Sequence, residues 1–396
     1  MIHITDKAKC CGCSACAERC PKSCIGMVED VEGFCYPRVD VDRCIECGLC
    51  EKVCPELSPL QPVASSACAA YNLDEAVRGE SSSGGVFTLL AEKVINEGGV
   101  VFGARYDSSW QVFIDSVDRL DDLALFRGSK YVQARVGDAY RSVETKLRAG
   151  VPVLFTGTPC QVAGLLHFLR KPYERLLTME VACHGVPSPK VWRGHLDELG
   201  KKKFAGKKIA DIKFRYKYDG WKGYRLLYAF RDGPSYSVGR DKDPYLRGFV
   251  SSLYSRPSCQ HCSFKHGAGG ADLTVGDLWG SEHIVPNMED GKGLSFVCVN
   301  TDKGKQALPW DKMKSMKILL QDAEKYNDGL HTDNAPHRNR DRFFTLLPSA
   351  LDNMLVDELI EKMLRPTWKE RVRMMPRELR GWAWRVKTGL LKYIGG

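Results

Sequence analysis

The sequence predicts an α+β protein with a small cysteine-rich domain, a larger mixed α/β domain that includes antiparallel strands, and a helical tail. Three observations predict this. Two runs of closely spaced cysteines lie near the N-terminus. Strand-like and helix-like apolar patterns alternate from residue 67 onwards. A basic, amphipathic stretch ends the chain. We place the domains at residues 1–60, 67–150, 151–345 and 346–396, with a Pro- and Ser-rich linker at 61–66.

The cysteine content indicates metal or redox chemistry. The chain has 396 residues and 17 cysteines. It has no run of roughly 18 apolar residues of the kind that a membrane span needs. Its first residues, MIHITDKAKCCG, lack the apolar region of a signal peptide, so we expect a cytoplasmic protein. Because disulfides are rare in that compartment, we expect the thiols to bind metal or to take part in redox reactions.

The two cysteine runs, CCGCSACAERCP and CIECGLCEKVCP, share the spacing C-x2-C-x2-C-x3-C-P. This is the spacing of bacterial ferredoxins with two [4Fe–4S] clusters, in which the fourth cysteine of each run reaches the other cluster. Zinc is a weaker reading, because zinc sites use C-x2-C pairs. For one cluster we assign Cys10, Cys13, Cys16 and Cys54. For the other we assign Cys20, Cys44, Cys47 and Cys50. A short hairpin is expected between the runs.

The second domain opens with a predicted strand, ACAAYNL, and a turn of small residues at 81–85. Apolar residues at helical spacing follow from Val86 to Ile95, and VVFGARY is then a predicted strand. A Ser/Gly turn before a helix can bind phosphate through free backbone N–H groups. A simple helix cap with flexible glycines is an equally good reading of this motif.

The segment FTGTPCQ joins a predicted strand to a predicted helix and places Cys160 where the helix begins. Cys160 is therefore a candidate nucleophile, metal ligand or core residue. Cys183 lies at another strand-to-loop junction, and Cys259 and Cys262 form a C-x2-C pair. Four soft ligands suit a third [4Fe–4S] cluster or a four-cysteine zinc site, and spacing does not separate the two. The remaining cysteines are expected to be packing residues: Cys11, Cys24, Cys35, Cys68 and Cys298.

Two further regions have distinct patterns. Residues 210–239 alternate, are rich in Tyr, Phe and Arg, and predict antiparallel strands. The mixture of Arg and aromatic residues accompanies no nucleic-acid recognition motif, so we do not expect nucleic acid as a partner. Residues 365–396 hold nine Lys or Arg and two Glu, a net +7 of the chain's +9. An apolar face from Arg377 to Ile394 suits a membrane surface, a partner, or packing on the protein itself.

Six segments in order resemble the coenzyme F-420 hydrogenase/dehydrogenase beta-subunit family. They are SSSGGVFTLLAE, GSKYVQA, FTGTPCQVAGL, ACHGVPSPKVW, RPSCQHCSF and ADLTVGDLWG. The resemblance covers roughly residues 67–300. It implies an FAD and a [4Fe–4S] cluster held by Cys160, Cys183, Cys259 and Cys262. The matching flavin-binding stretches contain Ser82, Ser83, Gly84, Gly85, Ser129, Lys130, Tyr131, Gln133, Gly157 and Thr158. Asp277, Trp279 and Gly280 match a motif of unassigned role.

The resemblance implies an iron–sulfur flavoprotein oxidoreductase. Electrons would pass between a ferredoxin or partner subunit and a small hydride acceptor or donor, through the clusters and FAD. Family members differ in substrate, so coenzyme F-420 itself is not carried over. The alternative is an electron-transfer adaptor that docks to a partner enzyme and has no substrate site of its own. The basic tail adds peripheral contact with the inner face of the membrane as an expectation.

Overall fold

The computed structural model describes residues 1–62, 66–204, 206–331, 333–368 and 370–371. It confirms the predicted α+β class, with a small N-terminal domain, a large mixed sheet and C-terminal helices. The amphipathic face predicted for 377–394 lies outside the described residues. Among the residues that are described, no helix is both long enough and apolar enough to span a bilayer.

The N-terminal domain contains two short helices and one hairpin. The helices are α1 (Ala15–Arg19) and α2 (Leu49–Lys52), and the strands are β1 (Ile25–Glu29) and β2 (Cys35–Val39). β1 and β2 pair antiparallel, with Ile25 opposite Val39. Each helix follows a residue in the left-handed region, Ser14 or Gly48, both with φ of 66°. The two cysteine runs therefore share a backbone bend at equivalent positions.

An eight-stranded mixed sheet forms the centre of the molecule. Its strands are β3 (Ser66–Asn72), β4 (Val100–Tyr106), β5 (Val112–Val117), β6 (Val153–Gly157), β7 (Leu176–Val181), β11 (Leu273–Asp277), β12 (Ser295–Val299) and β13 (Met313–Ile318). The strand order is β13-β3-β12-β11-β7-β6-β4-β5. Neighbours from β11 to β4 are parallel, and the other pairs are antiparallel.

The predicted antiparallel strands at 210–239 form a separate three-stranded sheet. Its members are β8 (Ile209–Tyr216), β9 (Arg225–Phe230) and β10 (Tyr236–Gly239), in the order β10-β9-β8. The alternation that predicted these strands places Ile212, Leu226 and Tyr228 in an aromatic-rich core. Helices from distant parts of the chain complete that core, so this sheet is covered on one face by residues it does not adjoin in sequence.

In the described part of the chain, twelve helices surround the two sheets. They are α3 (Glu75–Glu80), α4 (Val86–Asn96), α5 (Ala139–Arg148), α6 (Pro159–Leu169), α7 (Pro189–Lys202), α8 (Pro244–Val250), α9 (Ser281–Ile284), α10 (Asp302–Ala307), α11 (Leu320–Lys325), α12 (Asp328–His331), α13 (Arg340–Asp352) and α14 (Val356–Leu364). α4 packs in one apolar core of the large sheet, and α5 and α6 pack in another. The second of these cores also contains residues of the N-terminal domain.

The strand directions place several loops at one edge of the large sheet. Strands β4, β6, β7 and β11 run in the same direction, and so does β3, because two antiparallel pairings connect it to β11. The carboxyl ends of all five strands therefore meet at one edge, which is where ligands bind in open α/β sheets. The turn at 81–85, the FTGTPCQ segment, Cys183 and Asp277 all follow or end these strands.

Candidate functional site

Two small cavities lie inside the N-terminal domain, and each is lined by five cysteines, four of them predicted ligands that include one from the end of the opposite run. The first cavity is lined by Cys10, Cys13, Cys16 and Cys54, and the second by Cys20, Cys44, Cys47 and Cys50. Apolar side chains, among them Ile2, Ile4 and Met27, line the remainder of the first cavity. These groups are the two ligand sets assigned from the spacing, and soft thiol donors in an apolar shell fit a [4Fe–4S] cluster.

Backbone N–H groups face many of these sulfur atoms. The Ile2 N–H donates to Cys50 Sγ at 3.3 Å in a buried position. The N–H groups of Gly12, Ala15 and Ala17 donate to the sulfurs of Cys10, Cys13 and Cys16, respectively. Such bonds favour the thiolate over the thiol, which is the form that ligates iron. The donor set of the first cavity therefore suits a bound cluster.

A third group of thiols lies at the carboxyl edge of the large sheet. Cys160 is in the first turn of α6, and Cys183 follows β7. Cys259 is near enough to interact electrostatically with both, and Cys262 also interacts with both. The Gly185 N–H donates to Cys183 Sγ at 3.4 Å. The structure thus brings together the four cysteines predicted to form one site. In the part of the chain described here, no three His, Cys, Asp or Glu side chains are placed to hold a single metal ion.

The acidities of these thiols bear on whether Cys160 is a nucleophile. Contact with Cys11 and then burial raise the pKa of Cys160 well above its usual value. Burial raises the pKa of Cys183 to about 11 and that of Cys262 to about 12. A cysteine nucleophile needs a lowered pKa. The protein environment therefore does not activate Cys160 as a nucleophile. An iron ligand is also a thiolate, so it is the grouping of Cys160 with Cys183, Cys259 and Cys262, and not its pKa, that favours the ligand reading.

A cleft of about 580 Å³ opens at the same edge of the sheet. It is lined by residues from the turn at 81–85, from segment 126–134, from the FTGTPCQ segment and from 181–187. Cys160 and Cys183 line the cleft, whereas Cys259 and Cys262 do not. Small-molecule and cofactor sites typically occupy about 300–1,000 Å³. The cleft is therefore of a suitable size for an organic cofactor beside the third thiol group.

The turn at 81–85 presents one end of this cleft. Ser82, Ser83 and Gly85 line it. Gly85 has a φ of +83° and begins α4 without a side-chain cap. Arg215 donates to the Ser82 carbonyl at 3.3 Å, and Lys217 donates to the Ser83 carbonyl at 2.9 Å. Because no side chain caps the start of α4, the N–H groups of its first turn suit an anion.

The structure corrects the role expected of Gly84. This residue does not line the cleft, because its N–H donates to Ser295 Oγ at 3.0 Å and its carbonyl accepts from Asn72. A Cβ at Gly84 would lie 2.5 Å from the Ala70 carbonyl oxygen. Glycine is therefore required here for packing against β3 and β12. If a substitution at Gly84 abolished ligand binding, the cause would be strain in the sheet and not a side chain that blocks an anion.

Segment 129–133 also lines the cleft. The Ser129 N–H donates to Ser82 Oγ at 2.7 Å and so joins the two predicted stretches. Lys130 Nζ is 3.2–3.4 Å from the carbonyls of residues 126, 127 and 128, and burial lowers the pKa of Lys130 to about 8. Tyr131 stacks on Phe249. Gln133 also lines the cleft, but its amide is committed to the N-terminal domain.

Gly157 and Thr158 line the cleft where β6 meets α6. Thr158 forms a capping box with Gln161, and its N–H donates to Gln161 Oε1 at 3.0 Å. The Thr158 hydroxyl also contacts Cys160 Sγ at 3.2 Å. This loop therefore has fewer free N–H donors than the start of α4. Its geometry positions Cys160 and shapes the cleft wall.

The GDLWG segment, whose role the sequence left unassigned, builds a rigid wall. Asp277 forms a buried pair with Arg215, with oxygens at 2.5 and 3.2 Å from the guanidinium nitrogens. Trp279 stacks on Trp221 with ring centroids 5.0 Å apart. Gly280 has a φ of +73°, and a Cβ there would lie 2.5 Å from the Tyr326 ring. Asp277 and Trp279 line the cleft, and Gly280 is a close-packing residue.

Two residues at the junction with the N-terminal domain were missed. Arg256 is 1% exposed and donates to the carbonyls of Cys10 and Cys35 and to Gln133 Oε1. Cys11, which was expected to be a packing residue, lines both the first N-terminal cavity and the cleft. The sequence signal for Arg256 was its place directly before the PSCQHC segment. For Cys11 the signal was the doubled cysteine at the start of the first run.

The folds and thiol groups define an iron–sulfur protein of the electron-transfer class, and comparison with known proteins agrees. Residues 36–59 match a family model described as a 4Fe-4S binding domain. Residues 151–325 match the family model for the C terminus of the coenzyme F420 hydrogenase/dehydrogenase beta subunit. Over that range the chain matches this beta-subunit family, and the match to a 4Fe-4S binding domain precedes it. The resemblance stated from the sequence is thereby confirmed.

One solved structure to which the chain is similar is the F420-reducing [NiFe] hydrogenase complex from Methanosarcina barkeri. The identity is 16% and the TM-score is 0.44, with 80% of this chain and 94% of that chain covered. No curated protein matches the chain.

Proposed function

We propose that the protein is a flavin- and iron–sulfur-dependent oxidoreductase. In this proposal the two N-terminal cavities hold [4Fe–4S] clusters, the group of Cys160, Cys183, Cys259 and Cys262 holds a third, and the cleft holds FAD. Electrons pass between a redox partner protein and a small hydride donor or acceptor. The observation that carries the proposal is that Cys160 and Cys183 line the same cleft as the predicted flavin segments.

A bound flavin would supply chemistry that links one-electron carriers to two-electron hydride transfer. The chain's own residues offer an anion site for its phosphates. Arg127 lines the cleft, and its Nε is 3.4 Å from Thr88 Oγ1 in the first turn of α4. A guanidinium thus lies beside the uncapped N-terminus of a helix of 11 residues. Both groups favour negative charge, and together they suit the pyrophosphate of a dinucleotide.

The walls of the cleft would orient the flavin and limit access of water. Phe87 and Met179 supply apolar surface, and the Tyr131–Phe249 stack closes another side. The Arg215–Asp277 pair is nearly fully buried and stiffens the wall beside the turn at 81–85. A pre-organised apolar cleft with a few fixed polar groups is typical of cofactor sites. These features support an enzyme with its own substrate site over an adaptor that lacks one.

The iron content tests the third cluster. Full-length protein purified without oxygen should contain about twelve irons, four for each cluster. Cys160→Ser should lose about four of them. Cys298→Ser is the control, since Cys298 is a buried cysteine of the large sheet that lines none of the three thiol sites. Zinc in place of iron, or full iron and sulfide in Cys160→Ser, would contradict the assignment.

Flavin binding tests the cleft. Arg127→Ala should weaken FAD binding by about ten- to a hundredfold, because a charge-assisted hydrogen bond contributes roughly 1.5–3 kcal/mol. Arg119→Ala is the control, because Arg119 is a nearby, well-exposed arginine whose guanidinium pairs with Asp121. Equal affinity in both variants would remove the phosphate site from the start of α4. A protein that carries its irons but binds no flavin would favour the adaptor.

A further inference from the structure

Cys11 is a fifth thiol beside the first N-terminal cavity. It is 6% exposed and lines that cavity together with Cys10, Cys13 and Cys16. It also lines the cleft, next to Cys160. The assigned ligand sets of the three clusters do not include it. An additional buried thiol between two thiol groups calls for a role other than filling space.

The side chain of Cys11 touches one assigned ligand on each side. Its thiol lies beside Cys13 in the first cavity and beside Cys160 in the wall of the cleft, close enough for both to affect its pKa. The Glu56 carboxyl also contacts it, and Glu56 accepts from Ser263 Oγ at 2.9 Å. Three sulfur atoms thus connect the first N-terminal cavity to the cleft without an intervening residue.

The backbone around Cys11 is held in place from the main domain. Gln133 Nε2 donates to the Cys11 carbonyl at 3.1 Å, and Arg256 Nε donates to the Cys10 carbonyl at 2.8 Å. Gly12 has a φ of +74°, and a Cβ there would lie 2.9 Å from the Arg256 guanidinium carbon. Because both flanks are fixed, the thiol has one defined position relative to Cys13 and Cys160.

We propose that Cys11 is a positioning residue that couples the first N-terminal cluster to the central cluster. The inference rests on the clusters assigned under Proposed function. Hydrogen bonds to the sulfurs around a cluster tune its potential, and groups just outside the ligands set its orientation. Cys11 has a single S–H to donate, to the Cys13 sulfur, and its sulfur adjoins Cys160 in the cleft wall, so one side chain adjoins ligands of both clusters. In each transfer one electron leaves one cluster and reaches the other, while Cys11 keeps its proton and forms no bond.

The chain provides a matched control in Cys24. This cysteine is 4% exposed and is also a fifth thiol beside an N-terminal cavity. Its sulfur is 3.3 Å from Cys20 Sγ, and it also contacts Cys44. Both of these partners belong to the same cavity. Cys24 therefore matches Cys11 in type, burial and contact with ligands, but it does not connect two sites.

The test compares the wild type with Cys11→Ser, Cys11→Ala and Cys24→Ala in the full-length protein. Iron and sulfide are counted first. Potentiometric titration followed by electron paramagnetic resonance then gives the cluster potentials and the spin–spin interaction. Rapid-freeze samples taken after mixing with reductant give the rate at which the central cluster becomes reduced. We expect both Cys11 variants to keep about twelve irons. Reduction of the central cluster should slow by on the order of tenfold, with an altered spin–spin signal.

The outcomes separate this inference from the proposed function. Full iron content with unchanged potentials, spectra and reduction rate in Cys11→Ala would make Cys11 a packing residue and overturn the inference alone. A change of equal size in Cys24→Ala would also overturn it. About eight irons in the wild type would refute the third cluster, and with it both proposals. If Cys11→Ala fails to fold, Cys11→Ser decides, because the hydroxyl is close in size to the thiol.

Discussion

Replacement of Arg256 should loosen the N-terminal domain from the main domain. The guanidinium is 1% exposed and donates to the Cys10 carbonyl at 2.8 Å, the Cys35 carbonyl at 2.9 Å and Gln133 Oε1 at 3.0 Å. It also stacks over the Tyr36 ring at 4.3 Å. The side chain thus joins the first cysteine run, the β1–β2 hairpin and segment 129–133. Arg256→Ala removes all of these contacts together.

The size of the effect follows from the groups left without partners. Each buried carbonyl that loses its donor costs roughly 1–3 kcal/mol. Two carbonyls therefore set a range of about 2–6 kcal/mol, and water that enters the vacated space reduces it to about 3 kcal/mol. That value corresponds to about a hundredfold larger open population of the junction. Arg256→Lys should recover only a small part, because one ammonium group cannot span three planar acceptors.

Hydrogen–deuterium exchange of anaerobic protein measures this opening. Peptides that contain β1 and β2 should exchange about a hundredfold faster in Arg256→Ala, while peptides of β8 and β9 keep their wild-type rates. Arg43→Ala is the control, because Arg43 also donates to a carbonyl, that of Lys22, but at an exposed site. Exchange of β1 and β2 within about threefold of wild type in Arg256→Ala would refute the reasoning.

Three further predictions follow. Gly164→Ala should cost about 1–3 kcal/mol of unfolding free energy and lower the iron content, because its Cβ would lie 2.8 Å from Cys13 Cβ; Gly200→Ala, which meets open space, should not. Burial acts to lower the pKa of His195, but the Asp357 carboxylate outweighs it and raises that pKa. The stability that this pair contributes is therefore full below about pH 6.5 and is lost as the pH rises through the raised pKa of His195. The wild-type melting temperature should fall above about pH 6.5, and His195→Gln should show a smaller fall. Deletion of residues 372–396 should abolish sedimentation with anionic liposomes while iron is retained, and equal binding to neutral liposomes would argue against the membrane role.

The grouping of the N-terminal cysteines and most strands could be predicted from the sequence because their signals are local. The spacing of each run places three thiols on one loop, and the structure groups the same cysteines. The alternation in 210–239 predicted three antiparallel strands, which the structure confirms. The helix expected over Val86–Ile95 is present as Val86–Asn96. In each case the pattern that defines the feature lies within a few tens of residues.

The roles that the sequence did not indicate depend on contacts between distant parts of the chain. Arg256 donates a hydrogen bond to the Cys10 carbonyl, 246 residues away in the sequence, and no local sequence pattern predicts such a partner. The sequence indicates only a packing role for Cys11, because it is the fold that brings Cys160 beside it. Gly84 lies in a Ser/Gly turn of the kind that binds anions, but in the fold it packs against the Ala70 carbonyl of β3. Its requirement for glycine therefore comes from the pairing of strands and could not be deduced from the turn alone.

Helix α6 couples the geometry of two groups of thiols within little more than one turn. Cys160 lies in its first turn, and Gly164 packs against Cys13 four residues later. At 1.5 Å per residue these positions are about 6 Å apart along the axis. The separation of the sites is thus encoded in the register of one helix and not in a hinge. Substitutions can adjust it only slightly, whereas an inserted or deleted residue between Cys160 and Gly164 would rotate one site away from the other by about 100°. Related sequences should therefore vary in length in the surrounding loops while this five-residue interval stays constant.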